Sequence, residues 1–213
     1  MEHFYESIEG WIDFQSIYRQ AVQEAENGAR FVEVGSWKGK SAAFMAVEII
    51  NSGKTIWFNT VDHWKGDSGT GEPVVWVEGN CYPVDLQQTF LENMKRGGVS
   101  GYVQCLTGTS VEIAKIFPDE SLDFVFIDGH HAYESVILDL KSWFPKVKPG
   151  KMIAGHDYND AEIADPGVQQ AVKEFFGKYK VELRMGEWTQ SWIVRKPCGW
   201  FKRLTNFFFR GKV

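Results

Sequence analysis

Residues 31 to 41 read Phe-Val-Glu-Val-Gly-Ser-Trp-Lys-Gly-Lys-Ser, a short apolar strand carrying an acid near its end, then a glycine turn, then the start of a helix. A strand such as Phe31 to Val34 is at home in a sheet covered on both faces, which points to an α/β chain with a mostly parallel sheet. Gly35 and Gly39 let the backbone pass close to a ligand without Cβ interference. Strand, glycine turn and helix in that order mark a nucleotide-type cofactor site.

The glycine spacing bears on which ligand. A dinucleotide fingerprint needs glycines at relative positions one, three and six, and Trp37 fills the middle place. A phosphate-binding loop needs four residues between its first glycine and Gly-Lys-Ser, whereas only three separate Gly35 from Gly39-Lys40-Ser41. The strand ending at Asp128 could serve as the magnesium-holding strand of a nucleotide hydrolase, so that reading stays open, but Glu33 would set a negative charge beside a polyphosphate. Glu33-x-Gly35-x-x-x-Gly39 also resembles the first motif of class I S-adenosylmethionine-dependent methyltransferases, whose sulfonium ligand tolerates an acid there.

Further along, Phe14, Ile17, Tyr18, Ala21, Val22 and Ala25 recur at helical spacing before Asn27-Gly28, so residues 1–28 read as an N-terminal covering helix. Helix from Lys40 to Asn51 and strand from Thr55 to Asp62 repeat the strand-helix-strand pitch. Residues 63–83 carry Gly66, Gly69, Gly71, Gly79, Pro73 and Pro83 among Trp64, Val74, Val75 and Trp76, which reads as a lid or binding loop, or else as an edge hairpin. Helices then follow near 84–95, 110–117, 132–144 and 166–177, alternating with strands near 102–106, 122–128 and 151–157. Residues 181–185 and 191–195 read as a closing hairpin. The expected architecture is a Rossmann-like, seven-stranded, mostly parallel sheet with an antiparallel C-terminal hairpin and helices on both faces, spanning 29–197.

Composition excludes several classes. At 213 residues, 44% hydrophobic and 24% charged, the chain fits one globular domain. A net charge of -5 gives no electrostatic case for nucleic acid. Cys81, Cys105 and Cys198 show no metal-binding spacing, and the absence of a signal-type N-terminus or a long apolar run predicts a cytoplasmic protein. Residues 198–213 form a basic amphipathic tail, with Trp200, Phe201, Leu204, Phe207 and Phe208 at helical spacing among Lys202, Arg203, Arg210 and Lys212. Peripheral membrane contact competes there with packing on the domain or on a second copy in a homo-oligomer.

The segments Ile127 to Leu140 (IDGHHAYESVILDL), Lys148 to Tyr158 (KPGKMIAGHDY) and Asp165 to Phe175 (DPGVQQAVKEF) narrow the family. With the first motif, they resemble bacterial small-molecule and sugar O-methyltransferases, related in fold to the catechol O-methyltransferases, over about 30–176. The resemblance implies that Glu33, Gly35, Ser36 and Gly39 frame the methionine part of S-adenosylmethionine, with Asp62 and its neighbour His63 at the ribose. A satisfied strand-end acid is the plainer reading of Asp62. Thr109 and Ser110 would lie at the adenine edge, and Ser110 is equally placed as a helix N-cap.

Asp128, His156 and Asp157 match the positions that hold magnesium in metal-dependent relatives, although His156 stands where an oxygen donor is common, so the identity of any divalent ion is open. His131 is the expected base for deprotonating the acceptor hydroxyl, with His130 as its substitute. Trp37, Trp64, Trp76 and Tyr158 are candidates for contacting substrate or excluding water. The implied reaction is methylation of a small hydroxylated acceptor, such as a sugar or glycosylated natural product. A nucleotide hydrolase and a non-catalytic cofactor-binding scaffold are the other classes in play.

Overall fold

The computed structural model describes residues 1–65, 74–77, 80–83, 85–159, 166–177, 179–187 and 189–198, with backbone alone for 74–77 and 80–83. The expected tail at 199–213 and the Trp76 side chain lie outside the described residues. In chain order the elements are α1 (Gln15–Glu24), β1 (Ala29–Val34), α2 (Lys40–Ser52), β2 (Ile56–Asp62), β3 (Val74–Val77), β4 (Asn80–Pro83), α3 (Leu86–Arg96), β5 (Gln104–Thr107), α4 (Ser110–Ala114), β6 (Leu122–Ile127), α5 (Tyr133–Trp143), β7 (Val147–Gly155), α6 (Gly167–Phe176), β8 (Glu182–Met185) and β9 (Gln190–Arg195).

Seven strands form one sheet in the order β5-β2-β1-β6-β7-β9-β8. The pairs from β5 to β7 are parallel, while β9 runs antiparallel to both β7 and β8. The Rossmann-like expectation holds, including its closing hairpin. β3 and β4 make a separate antiparallel ribbon inside the insertion, so part of that segment is a hairpin.

Alternation divides the strand side chains between two cores, even though both faces are apolar. Phe31, Phe124 and Phe126 face one layer with α1, α2, α3 and the N-terminal residues Ile8, Ile12 and Phe14. Val32, Val34, Val125 and Ile127 face the other, with α5, α6 and Trp192 of β9. Residue 33 is on the first face, which carries the Glu33 carboxylate into the α1 layer rather than toward solvent.

β7 starts at Val147 instead of Lys151. Pro149-Gly150 interrupts no more than its register, because Gly150 takes φ +78° and donates its N–H to the Lys196 carbonyl at 2.7 Å. α4 is shorter than expected, ending at Ala114, and its N-cap is Thr109. Thr109 and Glu112 exchange hydrogen bonds as a capping box, while the Ser110 hydroxyl accepts from Trp143 Nε1 at 2.8 Å. The N-cap role considered for Ser110 is therefore Thr109's.

Candidate active site

In a parallel sheet the loops at the carboxyl ends of neighbouring strands meet above the topological switch, and here β1, β2, β6 and β7 bring their expected residues there. Gly35 is required by space as well as by its φ of +85°, because a Cβ would lie 2.0 Å from the Asp128 carbonyl oxygen. The β1 and β6 loops thus touch backbone to backbone. Gly39, at φ +87°, is the N-cap of α2, and a Cβ there would press on Phe90 and Met94 of α3 at 2.8 Å.

Asp62 ends β2 and ties the turn down. Its Oδ2 accepts from the Ser36 and Trp37 amides at 2.9 and 3.0 Å, and Oδ1 accepts from the Trp64 amide at 2.8 Å. That is the loop-satisfied arrangement, and of the roughly four acceptor sites of a carboxylate it leaves one, on Oδ1, for a ligand hydroxyl. The Ser36 hydroxyl is buried near the Glu33 carboxyl. His63 faces solvent and accepts from the Lys65 amide at 3.0 Å through Nδ1.

Beneath the turn, Glu33 is 1% exposed and accepts from the Tyr18 hydroxyl at 2.5 Å, with Oε1 unpartnered. Burial pushes its carboxyl up to about 7, against the pull of the Tyr18 hydroxyl and the nearby Ser36 and Ser41 hydroxyls. Burial and the Glu33 charge in turn push the Tyr18 phenol well above its ordinary value.

The second half of the site is a chain of acids and imidazoles. His131 Nε2 lies 3.0 Å from Asp157 Oδ2, and His156 Nδ1 lies 3.2 Å from Asp157 Oδ1 and 3.6 Å from Asp128 Oδ1. The other His156 nitrogen, Nε2, is 2.6 Å from Asp13 Oδ1. Burial works against a charged His156, yet Asp128, Asp13 and Asp157 together raise it to about 10, so it is an imidazolium at neutral pH. Burial lifts the Asp128 carboxyl, opposed by His156. Burial would lift Asp157 as well, but hydrogen bonds from His131 and His156 hold it below the usual carboxylate range.

This arrangement redistributes the expected metal donors. Asp128, His131 and Asp157 each offer a ligand atom within 4.8 Å of the others, while His156 has both ring nitrogens directed at carboxylates and stands behind them. An acid-rich set with one imidazole fits a divalent cation by charge and chemistry. His130 lines the same small cavity and its Nδ1 accepts from the Ala132 amide at 3.1 Å, while His131 is the one of the two paired with Asp157. Ile127, Val136, Val168 and Trp192 floor a small cavity beneath Asp128, His131 and His156.

Of the aromatic candidates, Trp64 and Tyr158 are each 7% exposed and packed in the cores. Trp64 Nε1 donates to Thr107 at 3.1 Å and its ring lies against Phe90, so it is packed into the wall of the site. Trp37 is stacked on Trp11 at 5.3 Å, with Lys38 over its ring at 4.6 Å. Trp37, Trp64 and Asp157 take positive φ values of 42°, 62° and 53°, conformations that bulky residues hold only where the surroundings impose them.

A family described as "Methyltransferase domain" matches residues 32–158, from the first strand through Tyr158, more than half of the chain. The chain belongs to this methyltransferase family. The match covers the turn at Gly35, the acid at Asp62 and the cluster from Asp128 to Asp157, and the open readings of the glycine turn resolve toward S-adenosylmethionine. "Uncharacterized protein y4gI" of Sinorhizobium fredii is 23% identical over 155 residues, which are 73% of this methyltransferase chain but 16% of that protein. The chain thus spans about a sixth of the length of this curated relative. The O-methyltransferase NovP superposes with a TM-score of 0.63 at 20% identity, over 86% of this chain and 79% of that one. An O-methyltransferase from Bacillus cereus in complex with SAH gives 0.56 at 17% identity, over 85% and 78%. At these identities the superpositions show the fold.

Two buried acids beside the candidate site had no signal in the sequence. Asp13 precedes α1 and has its partner His156 at a separation of 143 residues. Asp139, on α5, is 6% exposed, and burial raises its carboxyl to about 6 against the Ser110 hydroxyl and the His130 charge. Its place one turn and a half into a helix that also carries solvent-facing residues gave it the look of a surface acid.

Proposed function

We propose that this chain transfers the methyl group of S-adenosylmethionine to an oxygen of a small hydroxylated acceptor, a sugar or a glycosylated natural product. The observation that carries the reading is the Asp157–His131 pair at 3.0 Å, set beside Asp128 at the carboxyl ends of β6 and β7 within a domain of methyltransferase family. The O-methyltransferase names of NovP and the Bacillus cereus protein, and the SAH bound by the latter, support the choice of oxygen and of cofactor.

S-adenosylmethionine supplies an electrophilic methyl on a sulfonium. The residues of the chain bind, align and deprotonate. Gly35 and Ser36 offer a close-approaching backbone and a buried hydroxyl for the methionine portion, and Asp62 has acceptor capacity for the ribose. Asp157 orients the His131 ring through Nε2, and His131 receives the acceptor's proton as the methyl moves. A divalent ion would be held by Asp128 and Asp157 beside His131, and would polarise the acceptor hydroxyl. Alignment of the acceptor oxygen with the methyl accounts for the larger part of the rate.

Titration calorimetry with S-adenosylhomocysteine tests the cofactor half: heat of binding is expected, and none with ATP or GTP. Absence of heat with the methyl donor and its product alike would sink the proposal. His131→Ala is expected to lower methyl transfer by roughly 10²- to 10⁴-fold while leaving S-adenosylhomocysteine affinity unchanged.

A further inference from the structure

We propose that Asp13 is a positioning residue of the active site, holding the His156 ring so that it sets Asp157, and through Asp157 the His131 imidazole. The inference rests on the assignment of His131 as the base, and it extends the working site beyond residues 32–158, the part that the family match covers. Asp13 has 2% of its side chain exposed, and its two oxygens divide their work: Oδ1 meets His156 Nε2 at 2.6 Å and Oδ2 accepts from the Thr189 amide at 3.2 Å. Gly186 closes in from the β8–β9 turn so tightly that a Cβ would lie 2.1 Å from Asp13 Oδ2.

The carboxylate is therefore locked by three segments that are remote in sequence: its own, the end of β7 and the β8–β9 turn. His156, 8% exposed and edge-on to Phe14 at 4.8 Å, has one nitrogen committed to Asp13, so its other nitrogen can point only toward Asp157 and Asp128. Asp157 in turn spends one oxygen on His156 and the other on His131. A rigid carboxylate, imidazole, carboxylate, imidazole series results, and loosening its buried end frees the exposed one. Supporting groups of this kind govern how accurately a reacting side chain is placed.

Asp13→Asn keeps the shape and an acceptor for Thr189 but weakens the hold on His156. Gly186→Ala leaves every polar group intact and displaces the Asp13 carboxylate by steric pressure. In imidazole proton–nitrogen correlation spectra at near-neutral pH, assigned with His131→Gln and His156→Gln, both variants are expected to move the His156 and His131 signals together. Affinity for S-adenosylhomocysteine, measured by calorimetry, should stay within about twofold, since Asp13 bonds to His156 and to the Thr189 amide. Glu9→Gln, on the same segment but paired with Lys38, should move neither signal. Folded variants in which His131 stays unmoved would overturn the proposal, as would loss of folding in both, the result a purely structural tie predicts. If the unmodified protein gives no heat with S-adenosylhomocysteine, the methyltransferase reading fails separately, whatever the histidine spectra show.

Discussion

Gly35 is the residue on which the geometry of the cofactor turn depends most directly. Its φ of +85° excludes an ordinary L residue, and its Cα lies against the Asp128 carbonyl with no room for a methyl group. Gly35→Ala is expected to cost at least about 3 kcal/mol from backbone strain plus overpacking. For a chain of this size that is a fall of roughly 6–12 °C in melting temperature, read by calorimetric scanning. Glu33 gives a prediction of a different kind. Its folded value of about 7 lies above the 4.5 of an ordinary glutamate, so the stability it contributes is fully present below 4.5 and is lost as pH rises through 7. Glu33→Gln should remove that part of the decline, which amounts to about 3 kcal/mol, and melting temperatures taken from pH 4 to pH 8 will show whether the slope becomes shallower by that amount. Which residues meet at the candidate site was readable where a strand end fixes a side chain, as at Asp62, Asp128 and Asp157. It was not readable for Asp13, because no local pattern marks a residue whose partner is brought to it only by tertiary folding.

Among the elements, helices and strands were legible wherever hydrophobic period and glycine punctuation agree. α1 was evident from Ile17, Tyr18, Ala21 and Val22, all of them buried, and α2 from its start at Gly39 and its stop at Gly53, both left-handed. Where punctuation misled, the cause is tertiary. Pro149-Gly150 looked like a break ahead of β7, but pairing of Val147 with Leu122 and a bulge between Leu122 and Phe124 absorb it. The capping box of α4 is a local device whose worth can be measured: Thr109→Ala should cost about 1 kcal/mol, or roughly 2–4 °C, unless Glu112 finds a new donor. α3 supports the site through Phe90 and Met94 under Gly39 and through a bond from Asn93 Nδ2 to the Lys38 carbonyl at 2.8 Å, which pins the turn before Gly39. Asn93→Ala strands that buried carbonyl, and a loss of about 1–3 kcal/mol is expected in denaturant melts.

For the molecule as a whole, the order of seven strands places the cofactor loops on one side of the switch between β1 and β6 and the acid–imidazole chain on the other. A ligand bridging them should stabilise both layers at once. S-adenosylhomocysteine at a hundredfold excess over its dissociation constant is expected to add about 2.7 kcal/mol, seen as one melting transition shifted upward by roughly 5–10 °C. ATP at the same concentration should leave the transition where it is. A split transition would instead mean that the two faces of the sheet unfold independently.

The Asp62 carboxylate, already gripping three amides from two loops, has a thermodynamic corollary. A ligand sharing that carboxylate arrives at a receptor whose walls need no assembling, so little ordering entropy should be forfeited on complexation, and the heat capacity change should reflect desolvated area alone.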